Sequence, residues 1–184
     1  MSRFRHIQKN FLTPDECQGF IDFSEKEGYN ESLIRVKGGG EVINKEIRDN
    51  DRVIWDNSQV AAQLWTLVKD LMPHDIDGWE PTGLNERFRF YRYKDGQQFK
   101  PHVDGSYKKS PTEMSKITLL IYLNEEFEGG ATTLIIENEE IIPKTGMLLL
   151  FEHKLLHCGR PVISGTKYVL RTDVMYKLKQ YENI

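Results

Sequence analysis

The sequence predicts a mainly β fold behind two N-terminal helices, and three observations predict it. Apolar residues recur at helical spacing only before Pro73, the chain breaks into short strand-like runs from Asn85 onward, and turn residues such as Asp95-Gly96, Gly129-Gly130 and Gly159 connect those runs. Closely spaced strands after two helices imply a double-sheet barrel with the helices packed on one side. A chain of 184 residues suits one domain. Residues 1–84 would supply helices and substrate-side loops, and residues 85–178 the β core.

The first helix opens at Thr13-Pro14-Asp15-Glu16, which reads as an N-cap, a proline in the first turn and a capping-box glutamate, and it should run to about Gly28. The second is predicted between Asn57 and Met72, where Ala61, Leu64, Trp65, Val68 and Leu71 form an apolar stripe ahead of Pro73. Between them Gly38-Gly39-Gly40 marks a hairpin or loop, a candidate lid. Strands are predicted over 85–94, 99–104, 116–124, 131–137, 139–142, 147–151 and 166–177, with Gly105 to Ser115 as the one clear loop among them.

Composition removes several function classes. A net charge of -3, from 25 basic and 28 acidic residues, gives no basic surface for nucleic acid. The start MSRFRHIQKNFLTPDEC lacks the apolar core of a secretory signal, and the longest strongly apolar run, Met147 to Phe151, is too short to span a bilayer. A cytoplasmic protein without membrane or nucleic-acid partners is expected. Cys17 and Cys158 then read as reduced thiols, not a structural disulfide.

Within FKPHVDGSY, one residue separates His102 from Asp104, a spacing that puts both side chains on the same face of a strand. That triplet alone is a weak signal. The stretch HCGRPVISGTKYVLRTDVMY adds His157 before a Gly-x-Pro turn and Lys167 ten residues on. Counting by twos from Lys167 places Val169 and Arg171 on its face, and cations facing a barrel interior require an anion to meet them. Two imidazoles and one carboxylate on one side of a metal leave three adjacent positions open, which suits non-haem Fe(II) better than hydrolytic zinc. His153 is the rival ligand, four residues before His157, whereas His6 and His74 read as surface residues.

Four strings, RFYRYKDGQQFKPHVDGSY, ITLLIYLNEEFEGGATTL, GMLLLF and HCGRPVISGTKYVLRTDVMY, in this order between Asn85 and Tyr176, resemble the prolyl 4-hydroxylase-like branch of the Fe(II)- and 2-oxoglutarate-dependent oxygenases. The resemblance covers about half the chain. It implies a double-stranded β-helix, the cupin-like jelly roll, with Fe(II) held by His102, Asp104 and His157 at its open end. It further implies 2-oxoglutarate and dioxygen as co-substrates, Lys167 on the far carboxylate of 2-oxoglutarate, and Tyr93 and Tyr122 as co-substrate hydrogen-bond donors. Thr118 and Leu120 share the face of Tyr122 and should line the same pocket. Arg171 stands where relatives often carry a smaller residue, which leaves it two roles: the near carboxylate of 2-oxoglutarate or a charged group of the prime substrate.

The activity so implied is hydroxylation of a C–H bond with succinate and carbon dioxide as co-products and no separate acid or base residue. For the prime substrate, Asn85, Arg87, Arg89, Tyr91 and Tyr93 alternate onto one strand face, while Asn50, Arg52 and Tyr107 with Lys108 and Lys109 sit in segments able to close over it. These point to a polar small molecule or an amino-acid side chain. A protein prolyl hydroxylase is the alternative, and a cupin-like enzyme without 2-oxoglutarate or a non-catalytic metal-binding sensor are the more distant ones.

Overall fold

In the computed structural model, which describes residues 3–32, 34, 35, 40–42 and 44–179, the Thr13 box caps a helix as its spacing implies. The Thr13 hydroxyl accepts from the Glu16 amide, the Glu16 carboxylate accepts from the Thr13 amide at 2.8 Å, and α1 runs Pro14–Glu27. Asn57 caps α2, Ser58–Val68, and a short 3-10 turn at Lys69–Leu71 ends it before Pro73. In chain order the strands are β1 (Arg5–Gln8), β2 (Asn30–Glu31), β3 (Ile34–Arg35), β4 (Glu41–Val42), β5 (Asp51–Asp56), β6 (Trp79–Leu84), β7 (Arg87–Tyr93), β8 (Phe99–His102) and β9 (Lys108–Ser110). They continue as β10 (Glu113–Tyr122), β11 (Phe127–Gly129), β12 (Thr132–Leu134), β13 (Glu139–Ile141), β14 (Met147–Glu152), β15 (His157–Gly159), β16 (Val162–Gly165) and β17 (Lys167–Leu178).

The major sheet runs β1-β14-β10-β17-β7-β5-β2, with β6 added beside β17 and β9 beside β10. A second sheet, β13-β12-β15-β8, faces it, and β11 pairs with β16 beside that sheet. Every pairing is antiparallel, and the two facing sheets make the predicted jelly roll.

Period-two alternation divides the core. One face of the major sheet carries Phe88, Phe90, Ile117, Leu119, Ile121, Leu148, Leu150, Leu170 and Val174, all fully buried with Leu64 and Val68 of α2. The opposite face points between the sheets with Tyr91, Tyr93, Tyr122, Met147, Leu149, Phe151 and Val169. Helices therefore shield one side and leave the other free for chemistry.

Several element boundaries differ from those the sequence predicts. Gly105 to Ser115 is not all loop, because β9 and the start of β10 pair as a hairpin around Pro111 and Thr112; its polar, edge-lying residues show no apolar alternation. β1, β5 and β6 extend the major sheet from the N-terminal half, where only helices and loops were expected. The strand expected over 99–104 stops at His102, since the Asp104 amide leaves the ladder and donates to the His153 carbonyl at 2.9 Å. Of the glycine run, Gly38 and Gly39 lie outside the described residues, as does the lid expected there. Cys17 and Cys158 are buried and free. Among the described residues no helix is long and apolar enough to cross a membrane.

Candidate metal centre and cavity

Cross-strand pairing assembles the metal centre. β8 and β15 set His102 directly opposite His157, and Asp104 joins them from just beyond β8. One ligand atom from each of the three lies within 4.8 Å of the others, and each imidazole Nε2 is 3.7 Å from an Asp104 oxygen. His102 Nδ1 meets the Lys100 carbonyl at 2.7 Å, and His157 Nδ1 meets the Leu155 carbonyl at 2.9 Å. A carbonyl only accepts, so both Nδ1 atoms carry the proton and both Nε2 lone pairs face inward. Burial, followed by repulsion from His157, pulls His102 down to about 4, so its ring is neutral and ready to ligate. Phe99 stacks on His102 with centroids 3.5 Å apart, and the Phe151 ring edge packs on His157.

Asp104 is held by more than its neighbouring ligands. Thr118 Oγ1 donates to Asp104 Oδ2 at 2.5 Å, and Arg171 Nη1 lies 3.1 Å from Oδ1. Burial raises its carboxyl, but the charge of Arg171 foremost, with the neighbouring imidazoles and the Thr118 hydroxyl, outweighs that and holds it well below the usual carboxylate range. Because the Thr118 proton is committed to Asp104, the contact of 2.9 Å to His153 must be donated by His153 Nδ1. Ser115, already accepting from the Tyr107 amide, then donates to His153 Nε2 at 2.9 Å. The rival ligand His153 is thus an internal prop of the carboxylate. Two imidazoles turned with Nε2 inward and a clamped carboxylate fit a divalent metal.

From this centre a cavity runs between the sheets. It is lined by Tyr91, Tyr93, Phe99, Leu120, Tyr122, Thr132, Phe151, Lys167, Val169 and Arg171 together with the three ligands and Thr118. At one end Lys167, 4% exposed, donates to the Gly130 carbonyl at 2.5 Å and lies 5.4–5.5 Å from the ring centroids of Tyr93 and Tyr122. No carboxylate partners it among the described residues, and burial pulls it down to about 7. Gly130 is required here: its φ is 63°, and a Cβ would meet Phe127 at 2.9 Å and the Lys167 stem at 3.2 Å. The Tyr122 hydroxyl donates to Thr132 at 2.7 Å.

The other end is polar. Arg171 Nη2 reaches Asp173 at 3.2 Å, and Arg89 Nη1 reaches the other oxygen of Asp173 at 3.3 Å. Arg48 lies over the rings of Tyr91 and Phe99, 4.4 Å and 4.7 Å from their centroids, with Nε donating to Asn50.

The substrate residues expected from the sequence fall in two places. Tyr91 lines the metal cavity, and Asn50 is buried behind it holding Arg48. Arg52, Asn85, Arg87, Arg89 and Tyr107 share a polar groove with Asp56 and Glu86. Arg87 is taken up by a surface pair with Asp56 at 2.8 Å. Lys109 pairs with Glu113 on the exposed β9–β10 hairpin, away from the cavity. His74 is exposed, while His6 is half-buried in the edge strand β1. Sequence reasoning assigned no role to Arg48, Phe99, Thr132 or Asp173. Only Asp173 had a readable signal, lying two residues past Arg171 on the same strand face.

Comparison with known proteins agrees with this geometry. The family model described as the 2OG-Fe(II) oxygenase superfamily matches residues 88–172, which hold all three ligands and Lys167. Residues 88–172 are a 2OG-Fe(II) oxygenase domain. Fe(II), 2-oxoglutarate and dioxygen are accordingly its cofactor and co-substrates, and the chain is a 2-oxoglutarate-dependent dioxygenase. A relative from Acanthamoeba polyphaga mimivirus, provisionally named a prolyl 4-hydroxylase, is 26% identical over 182 residues, covering 89% of this chain and 70% of its own length. The Arabidopsis thaliana prolyl 4-hydroxylase 5 is 22% identical, covering 88% of this chain, which spans 65% of that relative. Among solved structures, the viral collagen prolyl hydroxylase of Paramecium bursaria Chlorella virus-1 in its 2OG complex superposes with a TM-score of 0.69 at 22% identity, covering 96% of this chain and 97% of its own. A prolyl hydroxylase from Trichoplax adhaerens, solved with a hypoxia inducible factor peptide, gives 0.72 at 17% identity, with coverages of 94% and 84%. These neighbours share the fold.

Proposed function

We propose that this oxygenase hydroxylates a C–H bond of a polar, anion-bearing small molecule or amino-acid side chain, with succinate and carbon dioxide as co-products. The observation that carries the reading is the division of one cavity into a lone buried cation at Lys167 and an arginine-rich end beside Asp104. When bound, Fe(II), 2-oxoglutarate and dioxygen supply the oxidising chemistry. His102, Asp104 and His157 would hold the iron on one side, leaving positions for the co-substrates. Lys167 would take the far carboxylate of 2-oxoglutarate, with Tyr93 beside it and Tyr122 held by Thr132. Leu120, Phe151 and Val169 form the apolar wall that excludes water from the reacting atoms. Arg171 and Thr118 fix the orientation of Asp104, the carboxylate that would ligate the iron.

A second reading, hydroxylation of a prolyl residue in a protein, is favoured by the names of the relatives. Incubation of the iron-loaded protein with 2-oxoglutarate and either a metabolite pool or a lysate protein pool separates the two. Succinate formation with a one-oxygen mass gain in the metabolite pool is the expected result. A gain confined to proline-containing peptides would establish the second reading, and no succinate from either pool would defeat both.

A further inference from the structure

Three buried polar atoms around one aromatic ring make no hydrogen bond among the described residues. Arg48 Nη2, Arg171 Nε and the Tyr91 hydroxyl each bury their polar atom without a hydrogen bond. The guanidinium of Arg48 covers the Tyr91 ring at 4.4 Å, and Arg171 lines the same cavity wall as Tyr91. Native interiors rarely leave polar atoms unmet, and a buried cation without an anion is the costliest case. Ion pairing gives the same result. Arg171 pairs with Asp104 and Asp173 and Arg89 pairs with Asp173, whereas among the described residues Arg48 has no acidic partner. The charge of Arg48 therefore remains for an anion from outside the chain to neutralise. These arginines also act together on Tyr91: burial raises its hydroxyl, yet Arg48, Arg171 and Arg89 outweigh that and bring it to about 8.

Resting on the oxygenase reading, we propose that Arg48, Tyr91 and Arg171 form a carboxylate-binding subsite for the prime substrate, distinct from the Lys167 end. A planar carboxylate suits guanidinium donors flanking a phenol. Arg171 also touches Asp104, so a group held there lies next to the metal and sets the reacting carbon only a few bonds from the carboxylate. A small carboxylic acid, such as a free amino acid, satisfies this. The backbone of a prolyl residue inside a peptide does not, because it has no free carboxylate.

The test uses the anaerobic protein loaded with Fe(II) and 2-oxoglutarate, titrated with free L-amino acids, their C-terminal amides, and capped tripeptides with Pro, Asp or Glu at the centre. Perturbation of the metal-to-ligand absorption band and calorimetry are the readouts. At least one free amino acid, or an acidic tripeptide, is expected to bind below about 1 mM, the upper end of ordinary Michaelis constants, and at least about tenfold more tightly than its uncharged counterpart. Arg48→Gln and Tyr91→Phe should each weaken that probe by about tenfold or more while leaving 2-oxoglutarate affinity unchanged. Preference for the amides or the prolyl tripeptide overturns the subsite, as does the absence of any carboxylate binding below that concentration. Loss of 2-oxoglutarate affinity in both variants also overturns it, by assigning these donors to the co-substrate. If the unaltered protein forms no band with 2-oxoglutarate, the oxygenase reading itself fails, a result separate from the others.

Discussion

The two faces of β17 are built from one alternating run of residues but obey different rules. Leu170, Val174 and Tyr176 point toward the helices and need only apolar bulk, whereas Lys167, Arg171 and Asp173 point inward and need specific partners. The first face tolerates any well-packed set of side chains, at a cost set by lost burial. On the second, removing one group strands its neighbours. Stability and function are thus separated by one residue along the strand, and substitutions on each face should have distinct signatures.

The largest expected effect lies on the inner face: Asp104→Ala removes the only anionic ligand and should abolish Fe(II) binding in equilibrium dialysis, with the fold retained by circular dichroism. A bound equivalent of iron in that variant would break the ligand assignment. On the helix side, Phe90 is fully buried against Phe20, Phe23 and Trp55. Phe90→Ala should cost about 3–5 kcal/mol in denaturant unfolding, with 2-oxoglutarate affinity unchanged in the folded protein. Coupled losses would show that the faces are not separable.

Smaller effects sharpen the inner face. Thr118→Val strands both Asp104 Oδ2 and the His153 Nδ1 proton, and iron affinity should fall by roughly 10–100-fold, with Thr118→Ser restoring most of it. An unchanged affinity would reduce the Ser115–His153–Thr118 chain to packing. The smallest effect is one of pH. Burial brings Lys167 down to about 7, and only its protonated form pairs with a carboxylate. Binding above that pH must therefore take up a proton, and 2-oxoglutarate affinity should weaken by about tenfold per unit. Calorimetric titration from pH 6 to 9, values that bracket about 7, should show this slope, and Lys167→Arg should flatten it.

What the sequence made legible follows the same division. Closely spaced strand-like runs separated by turn residues pointed to a double-sheet barrel, and the resemblance carried by the His102, Asp104, His157 and Lys167 pattern implied the jelly roll. Arg48 could not be read, because it reaches the site through a single bridge to Phe99 from a segment with no periodicity. β6 carries Pro81 and Gly83, residues that argue against a strand. β5, with charged residues at both ends, does not resemble an interior strand, although it pairs along its full length with β7. His153 stood only as the rival to His157, and its actual role could not be read, because nothing in the sequence signals that Thr118 and Ser115 engage its ring.

The most direct test is an anaerobic titration of the metal-free protein with Fe(II) and then 2-oxoglutarate, in parallel with Lys167→Ala. The account predicts a visible charge-transfer band that needs both components, and in the variant a 2-oxoglutarate dissociation constant raised by roughly 30-fold or more, the cost of truncating one partner of a buried charge pair. A band of equal affinity in the variant, or tight iron binding with no band at all, would contradict it.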